Sequence, residues 1–128
     1  MLEISRTFEL QAAHRLPHTP PSHKCNRMHG HTWNVRVVIT GPIHPVYGWI
    51  IDYATMDALW VNKVHRKLDH TVLNDTIPNP TTECIAGWIY AALQPEYAKA
   101  GCRILRIDVG EGNLNCCTLV AEQPEVPS

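Results

Sequence analysis

Two runs of alternating residues, one ending on histidine and one beginning on it, constrain this chain more than any other feature. Phe8, Leu10, Ala12 and His14 fall at every second position, as do His29, His31, Trp33, Val35, Val37 and Ile39. Period two is the strand period, and side chains two apart on a strand leave the same face. His14 therefore closes a strand over 2–14, while His29 and His31 open a strand over 29–41. If the strands pair antiparallel, the end of the first lies beside the start of the second. Three imidazoles then converge at one end of a hairpin, joined by a long loop over 15–28 that carries Cys25. Three neutral imidazoles with an open position are the donor set of a catalytic zinc site. Imidazole suits zinc best, and donor type alone leaves nickel or iron open.

The rest of the chain supplies what such a hairpin needs to fold. Gly41-Pro42 ends the second strand, 42–48 turns, and Trp49-Ile50-Ile51 is a short extended run. Asp52 is a good helix N-cap, and Met56, Leu59, Trp60, Val64 and Leu68 share one helical face, which predicts a helix over 53–67. Asn74 to Asn79 reads as a loop. Thr81 or Thr82 caps a second helix, with Glu83 in its first turn, an interruption at Pro95 and an end at Gly101. Arg103 to Val109 and Cys116 to Ala121 read as strands, with Gly110 to Asn113 turning between them. The tail from Glu122 to Ser128 reads as frayed. The order is strand, strand, helix, helix, strand, strand. It predicts an α+β fold, with a four-stranded antiparallel sheet and two helices on one face. Both sheet edges then need covering, and self-association edge to edge is one solution.

Length and composition narrow the class. A chain of 128 residues is one domain, 1–128, and 45% apolar residues suffice for a core. A net charge of −1 gives no bulk drive toward nucleic acid or membrane. No apolar run reaches spanning length, and Met1-Leu2-Glu3-Ile4 does not read as a signal peptide. Five cysteines, two of them adjacent, do not suggest a disulfide framework; a cytoplasmic setting is expected. Charge is unevenly placed. No acidic residue stands between Glu9 and Asp52, a window holding Arg15, Lys24, Arg27, Arg36 and six of the eight histidines. Such a window suits an anionic ligand such as a polyphosphate beside the metal.

Cys25 has two readings. As a fourth ligand it would close a structural zinc site. Held off the metal, it would serve as a base, with Lys24, Arg27 and the ion favouring the thiolate. The second is preferred, because two helices on a four-stranded sheet need no metal to supply a core. Cys84, Cys102, Cys116 and Cys117 read as core thiols. Asp69-His70 is either a helix-end pair or a dyad in which Asp69 orients a proton-exchanging His70. Glu111, between glycines, is either solvated or an anchor for a guanidine-like ring edge.

Taken together, these residues resemble the 6-pyruvoyl-tetrahydropterin synthase superfamily, and more closely its bacterial branch, the 6-carboxy-5,6,7,8-tetrahydropterin synthases of queuosine biosynthesis. The resemblance runs from Phe8 to about Cys117. It rests on Ala12-Ala13-His14-Arg15-Leu16-Pro17-His18, His23-Lys24-Cys25 and Cys25 through His31, with the short Cys25–His29 gap of the bacterial branch. It continues through Gly48-Trp49-Ile50-Ile51-Asp52, Leu68-Asp69-His70, Leu73-Asn74, Asn79-Pro80-Thr81-Thr82-Glu83 and Glu111. The resemblance implies the tunnelling fold, whose subunits join sheets into a barrel, usually a homohexamer (a dimer of trimers) with active sites between subunits. It implies zinc on His14, His29 and His31, and a Cys25-Asp69-His70 relay. It further implies a pterin ring anchored by Glu111 with Thr81 and Thr82 nearby. The implied substrate is 7,8-dihydroneopterin triphosphate. The implied products are 6-carboxy-5,6,7,8-tetrahydropterin, acetaldehyde and triphosphate. Lys24 and Arg27 are then expected to meet the triphosphate.

The chain departs from the family at Gly112, where threonine is usual, and at Leu119 and Leu10, where aromatics are common. Cys84 also stands where asparagine is frequent. These changes touch the shape of the pterin pocket and leave the metal and proton-transfer groups intact. Two other functions compete: a 6-pyruvoyl-tetrahydropterin synthase, which eliminates triphosphate and keeps the side chain, and a non-catalytic module stabilised by structural zinc.

Overall fold

In the computed structural model, which describes residues 1–122, strands β1 (Ile4–His14) and β2 (His29–Thr40) pair antiparallel along their whole length. The register sets Leu10 opposite Trp33, Ala12 opposite His31 and His14 opposite His29. The alternation thus converges as the period predicts: Leu10, Trp33, Val35, Val37 and Ile39 are buried against the helices, and the histidines extend the same face to the end of the hairpin. β4 (Arg103–Glu111) pairs antiparallel with β2, and β5 (Asn115–Val120) with β4.

The sheet has five strands rather than four, in the order β3-β1-β2-β4-β5. The additional strand, β3 (Thr71–Val72), lies parallel to β1 beside Ala12 and Ala13. Two residues are too few to show a period in sequence, and the strand exists because the chain leaving Asp69-His70 docks along the β1 edge.

Asp52 caps the first helix, its carboxylate accepting from the Ala54 N–H at 2.9 Å. That helix begins as α1 (Tyr53–Trp60), widens into a π turn over Val61–His65 and closes as α2 (Arg66–Leu68). Met56, Trp60, Val64 and Leu68 are buried along it, and Phe8 stacks on Trp60 with ring centroids 4.5 Å apart. The second helix, α3 (Thr82–Lys99), is capped by Thr81, whose hydroxyl accepts from the Cys84 N–H at 3.1 Å. It runs through Pro95 without interruption. Pro95 removes one hydrogen bond to the carbonyl four residues back, but Ala91 and Pro95 both face solvent, where water can take that carbonyl. Beyond Lys99, Gly101 (φ +77) ends the helix, as Cys102 N–H reaches back to the Tyr97 carbonyl at 2.9 Å.

Three further expectations are corrected. Trp49-Ile50-Ile51 bends instead of forming an extended run, because it must carry Ile51 into the core. Glu111 ends β4 opposite Asn115, and the turn is pushed on to Gly112 (φ +62). Of the four thiols read as core, only Cys102 is buried, since Cys84 and Cys116 lie on exposed faces and Cys117 is half-buried. All five thiols are free. The frayed tail falls beyond Glu122, outside the described residues, except for Glu122 itself, which has no regular structure.

Candidate metal centre and active site

His14, His29 and His31 are brought together by the β1–β2 register, and one ring nitrogen from each lies within 4.8 Å of the others. Two of the rings are fixed by backbone. His14 Nδ1 lies 2.8 Å from the Pro80 carbonyl, and His29 Nδ1 lies 2.7 Å from the Arg27 carbonyl. A carbonyl only accepts, so each ring carries its proton on Nδ1 and turns the Nε2 lone pair to the cluster. Nε2 of His14 is buried with no hydrogen-bond partner. Such an orphan is costly in a folded interior, and a cation in the cluster removes the cost. Burial pushes the His14 and His31 rings below the ordinary histidine range, and the neighbouring imidazoles add to this; the bond to the Pro80 carbonyl opposes it at His14, and Glu111 opposes it at both. Neutral rings are the ligating form. The residues fit a metal ion.

Trp33 forms the floor. Its indole meets His14 and His31 edge to face, with centroids 4.8 and 5.0 Å away, and donates to the Ala12 carbonyl at 3.1 Å. On the open side, a cleft of about 440 Å³ is lined by Lys24, Cys25, His29, His31, Glu111 and Asn115. Glu111 Oε2 lies 3.9 Å from His31 Nε2. Among the described residues, the metal-ligating cluster comprises the three histidines alone, and the Cys25 sulfur is not part of it. Cys25 rides on a short 3-10 turn (Lys24–Asn26), whose start is capped by the His23 ring accepting from the Cys25 N–H at 3.0 Å.

Asp69 and His70 form a tight pair. His70 Nδ1 donates to Asp69 Oδ2 at 2.6 Å, and Gln11 N–H donates to Asp69 Oδ1 at 2.9 Å. Burial works against the charge on Asp69, but the Gln11 N–H and the His70 ring outweigh it, helped by His65 at 3.3 Å, and hold the carboxyl below its ordinary value. His70 is the one non-glycine residue among those described with a left-handed backbone (φ +56), and its N–H is tied to the Gln11 carbonyl at 2.6 Å. Such a conformation persists only when its surroundings impose it. It turns the ring out into a wide groove shared with His31, Thr32, Gln11 and Thr71. Within one chain, then, His70 and Cys25 line different clefts, with His31 between them.

The remaining candidates are dispersed. Thr81 caps α3, and Thr82 donates to Glu83 at 2.6 Å; both adjoin Pro80, but neither lines the Cys25 cleft. The Arg27 side chain is exposed away from that cleft, and the residue contributes its carbonyl to His29. Three participants escaped sequence reasoning: Asn115 in the cleft wall, the Pro80 carbonyl behind His14, and Gln11 behind Asp69. Only Asn115 left a signal in the sequence, as the partner of Glu111 across a short hairpin.

Comparison with known proteins gives the family and the fold. The chain is 36% identical over 97 residues to the 6-carboxy-5,6,7,8-tetrahydropterin synthase of Synechocystis sp., spanning 71% of this chain and 74% of that one. It is 35% identical over 86 residues to the dihydroneopterin monophosphate aldolase of Pyrococcus furiosus, spanning 67% and 72% respectively. The 6-pyruvoyl tetrahydropterin synthase of Caenorhabditis elegans superposes with a TM-score of 0.81 over 94% of this chain and 96% of that one, at 22% identity, and so shares the tunnelling fold. A sequence profile of 6-pyruvoyl tetrahydropterin synthase matches residues 3–122, nearly the whole chain: the chain belongs to that family.

Proposed function

We propose that this protein is a zinc-dependent carbon–carbon lyase, a 6-carboxytetrahydropterin synthase. It converts 7,8-dihydroneopterin triphosphate and water to 6-carboxy-5,6,7,8-tetrahydropterin, acetaldehyde and triphosphate, in the cytoplasm, on the route to queuosine and related 7-deazapurines. The observation that carries the reading is one cleft lined by two of the three clustered imidazoles, His29 and His31, with a thiol outside that cluster, a lysine and a carboxylate. The relatives named for this activity support the choice of reaction.

His14, His29 and His31 would hold the ion. Bound there, zinc supplies Lewis acidity to the substrate's side-chain oxygens, making the neighbouring C–H and O–H groups more acidic. The chain's own groups do the rest. Glu111 accepts two parallel hydrogen bonds from the guanidine-like edge of the pterin and fixes the ring. Cys25 takes a proton from the substrate side chain as thiolate. His70, oriented through Nδ1 by Asp69, gives or takes a proton at Nε2. Lys24, the cation in the cleft wall, meets the triphosphate. Triphosphate departs from the terminal carbon, the bond between the first and second side-chain carbons breaks, and the outer two carbons leave as acetaldehyde. The first carbon gains a water oxygen and becomes the carboxyl, the two electrons it gives up reducing the dihydropterin ring to the tetrahydro level. Because Cys25 and His70 line different clefts, the reading places the working site between subunits of a homohexamer.

A second reading, triphosphate elimination without side-chain cleavage, draws on the family description itself. Incubation of the zinc-loaded protein with 7,8-dihydroneopterin triphosphate separates the two. Acetaldehyde with triphosphate is expected; triphosphate with a pyruvoyl pterin and no acetaldehyde establishes the second; neither product overturns both.

A further inference from the structure

The loop bearing Cys25 is 14 residues long, contains three prolines and has no regular structure apart from one short turn. A loop like that does not hold a reactive side chain in place by itself. Arg15, the residue after His14, ties it down. Its Nε donates to the Asn26 carbonyl at 3.0 Å and its second nitrogen to Asn26 Oδ1 at 3.3 Å, so one guanidinium grips both the backbone and the side chain of the residue after Cys25. The backbone closes the same ring, with Leu16 N–H donating to the Cys25 carbonyl at 2.7 Å. Asn26 then turns its amide to the Thr19 carbonyl at 3.1 Å and draws in the middle of the loop.

The other end of Arg15 is fixed as well. Its N–H donates to Asn74 Oδ1 at 3.0 Å, and Asn74 Nδ2 donates to the Arg15 carbonyl at 2.8 Å. Asn74 lies just beyond β3, on the segment that begins at Asp69-His70. One half-buried arginine therefore joins three pieces distant in sequence: the strand end carrying the ligand His14, the turn carrying Cys25, and the segment leading from the Asp69-His70 pair. A planar fork with fixed donors suits this task, and lysine cannot reproduce it.

We propose that Arg15 is a positioning residue for Cys25, fixing the thiol relative to the three-histidine cluster through its two bonds to Asn26. The proposal rests on the reading of Cys25 as the proton acceptor, and it asks nothing of Arg15 toward substrate or metal. Misplacing a reacting group by about 1 Å can cost on the order of 100-fold, so loss of the fork should appear in kcat while substrate binding and metal content persist.

The test uses Arg15→Lys, which removes both fork bonds, and Asn26→Ala, which removes the side-chain acceptor and leaves the backbone one, together with their double variant, in the zinc-loaded full chain. Amide hydrogen exchange reads the clamp with no substrate present. Faster exchange at Leu16 and Asn26, with unchanged exchange in β2 and β4, is expected in each variant. Turnover of 7,8-dihydroneopterin triphosphate reads the consequence. A fall in kcat of roughly 10- to 100-fold is expected, with KM and zinc stoichiometry unchanged. The double variant should lose less than the two single losses combined, since the variants share the bond to Asn26 Oδ1. Unchanged exchange in both variants overturns the clamp. Loosened exchange with wild-type kcat, or additive losses, overturns its role toward Cys25. A wild-type protein that does not turn over the pterin refutes the proposed reaction, and exchange still decides the clamp.

Discussion

Cys25 decides what the three-histidine cluster is for. If Cys25 is a base, Cys25→Ala keeps its zinc and its fold and loses turnover by about 100- to 10,000-fold, the range that proton transfer from a positioned group supplies. Metal analysis, a melting curve and a rate check this together; zinc lost along with the fold returns the thiol to the role of ligand. Asp69 makes the second prediction. Its carboxyl sits below the ordinary value of 3.8 in the folded chain because of Gln11, His70 and His65. An unfolded chain therefore binds the proton first as pH falls. The stabilisation is fully present above the ordinary value and is lost as pH drops through the depressed one. Denaturant unfolding across the acid range should show this loss in the wild type and a flatter acid limb in Asp69→Asn. The histidines were legible in the sequence because period two is a property of the strand that carries them. The Pro80 carbonyl behind His14 was not, since 66 residues separate the pair and a backbone acceptor has no sequence signature.

Among the elements, local chemistry was readable where a side chain acts on its own neighbourhood. Asp52 and Thr81 cap their helices as capping residues do, and the structure chooses Thr81 over Thr82 because the Thr81 hydroxyl reaches the Cys84 N–H. Thr81→Ala should cost about 1 kcal/mol of stability, measurable as a shift in denaturant midpoint at constant slope. In the β4–β5 hairpin, β4 runs two residues past its expected end at Val109, to Glu111. Gly110 and Gly112 both suggest a turn, yet Gly110 is inside β4, where an added Cβ would meet the Asn115 carbonyl at 3.1 Å. Gly112 is the true turn residue, with φ +62 and its carbonyl accepting from Asn34 at 2.8 Å. Gly112→Val forces a β-branched residue into the left-handed region. It should destabilise the fold by at least ~1 kcal/mol and weaken pterin binding more than zinc binding, because the turn follows Glu111 directly. Calorimetry with pterin and with zinc compares the two. β3 and the π turn lay beyond reach for another reason: both are set by how neighbouring segments dock, and neither carries a period of its own.

For the whole molecule, the open question is where one active site ends. The sheet is open, with a two-residue strand at one edge and β5 at the other. β5 presents Cys116, Thr118 and Val120 as exposed side chains on a strand that, among the described residues, pairs on one side only, and proteins seldom leave such an edge uncovered. His70 faces a groove on the β1–β3 side of that sheet, while Cys25 faces the cleft beside Glu111. A relay between them needs either a large movement within the chain or a neighbouring copy that brings its own His70 to this Cys25. The second needs no rearrangement of a pair already fixed by Gln11, and symmetric association supplies it at every site at once. Mixing variants decides between these routes. Cys25→Ala and His70→Ala homo-oligomers should each be nearly inactive. Unfolded and refolded together in equal amounts, they should recover about a quarter of wild-type activity, because random assembly pairs an intact Cys25 with an intact His70 at about one site in four. If each chain carries its own complete site, every mixed site keeps one defect and no activity returns at any mixing ratio.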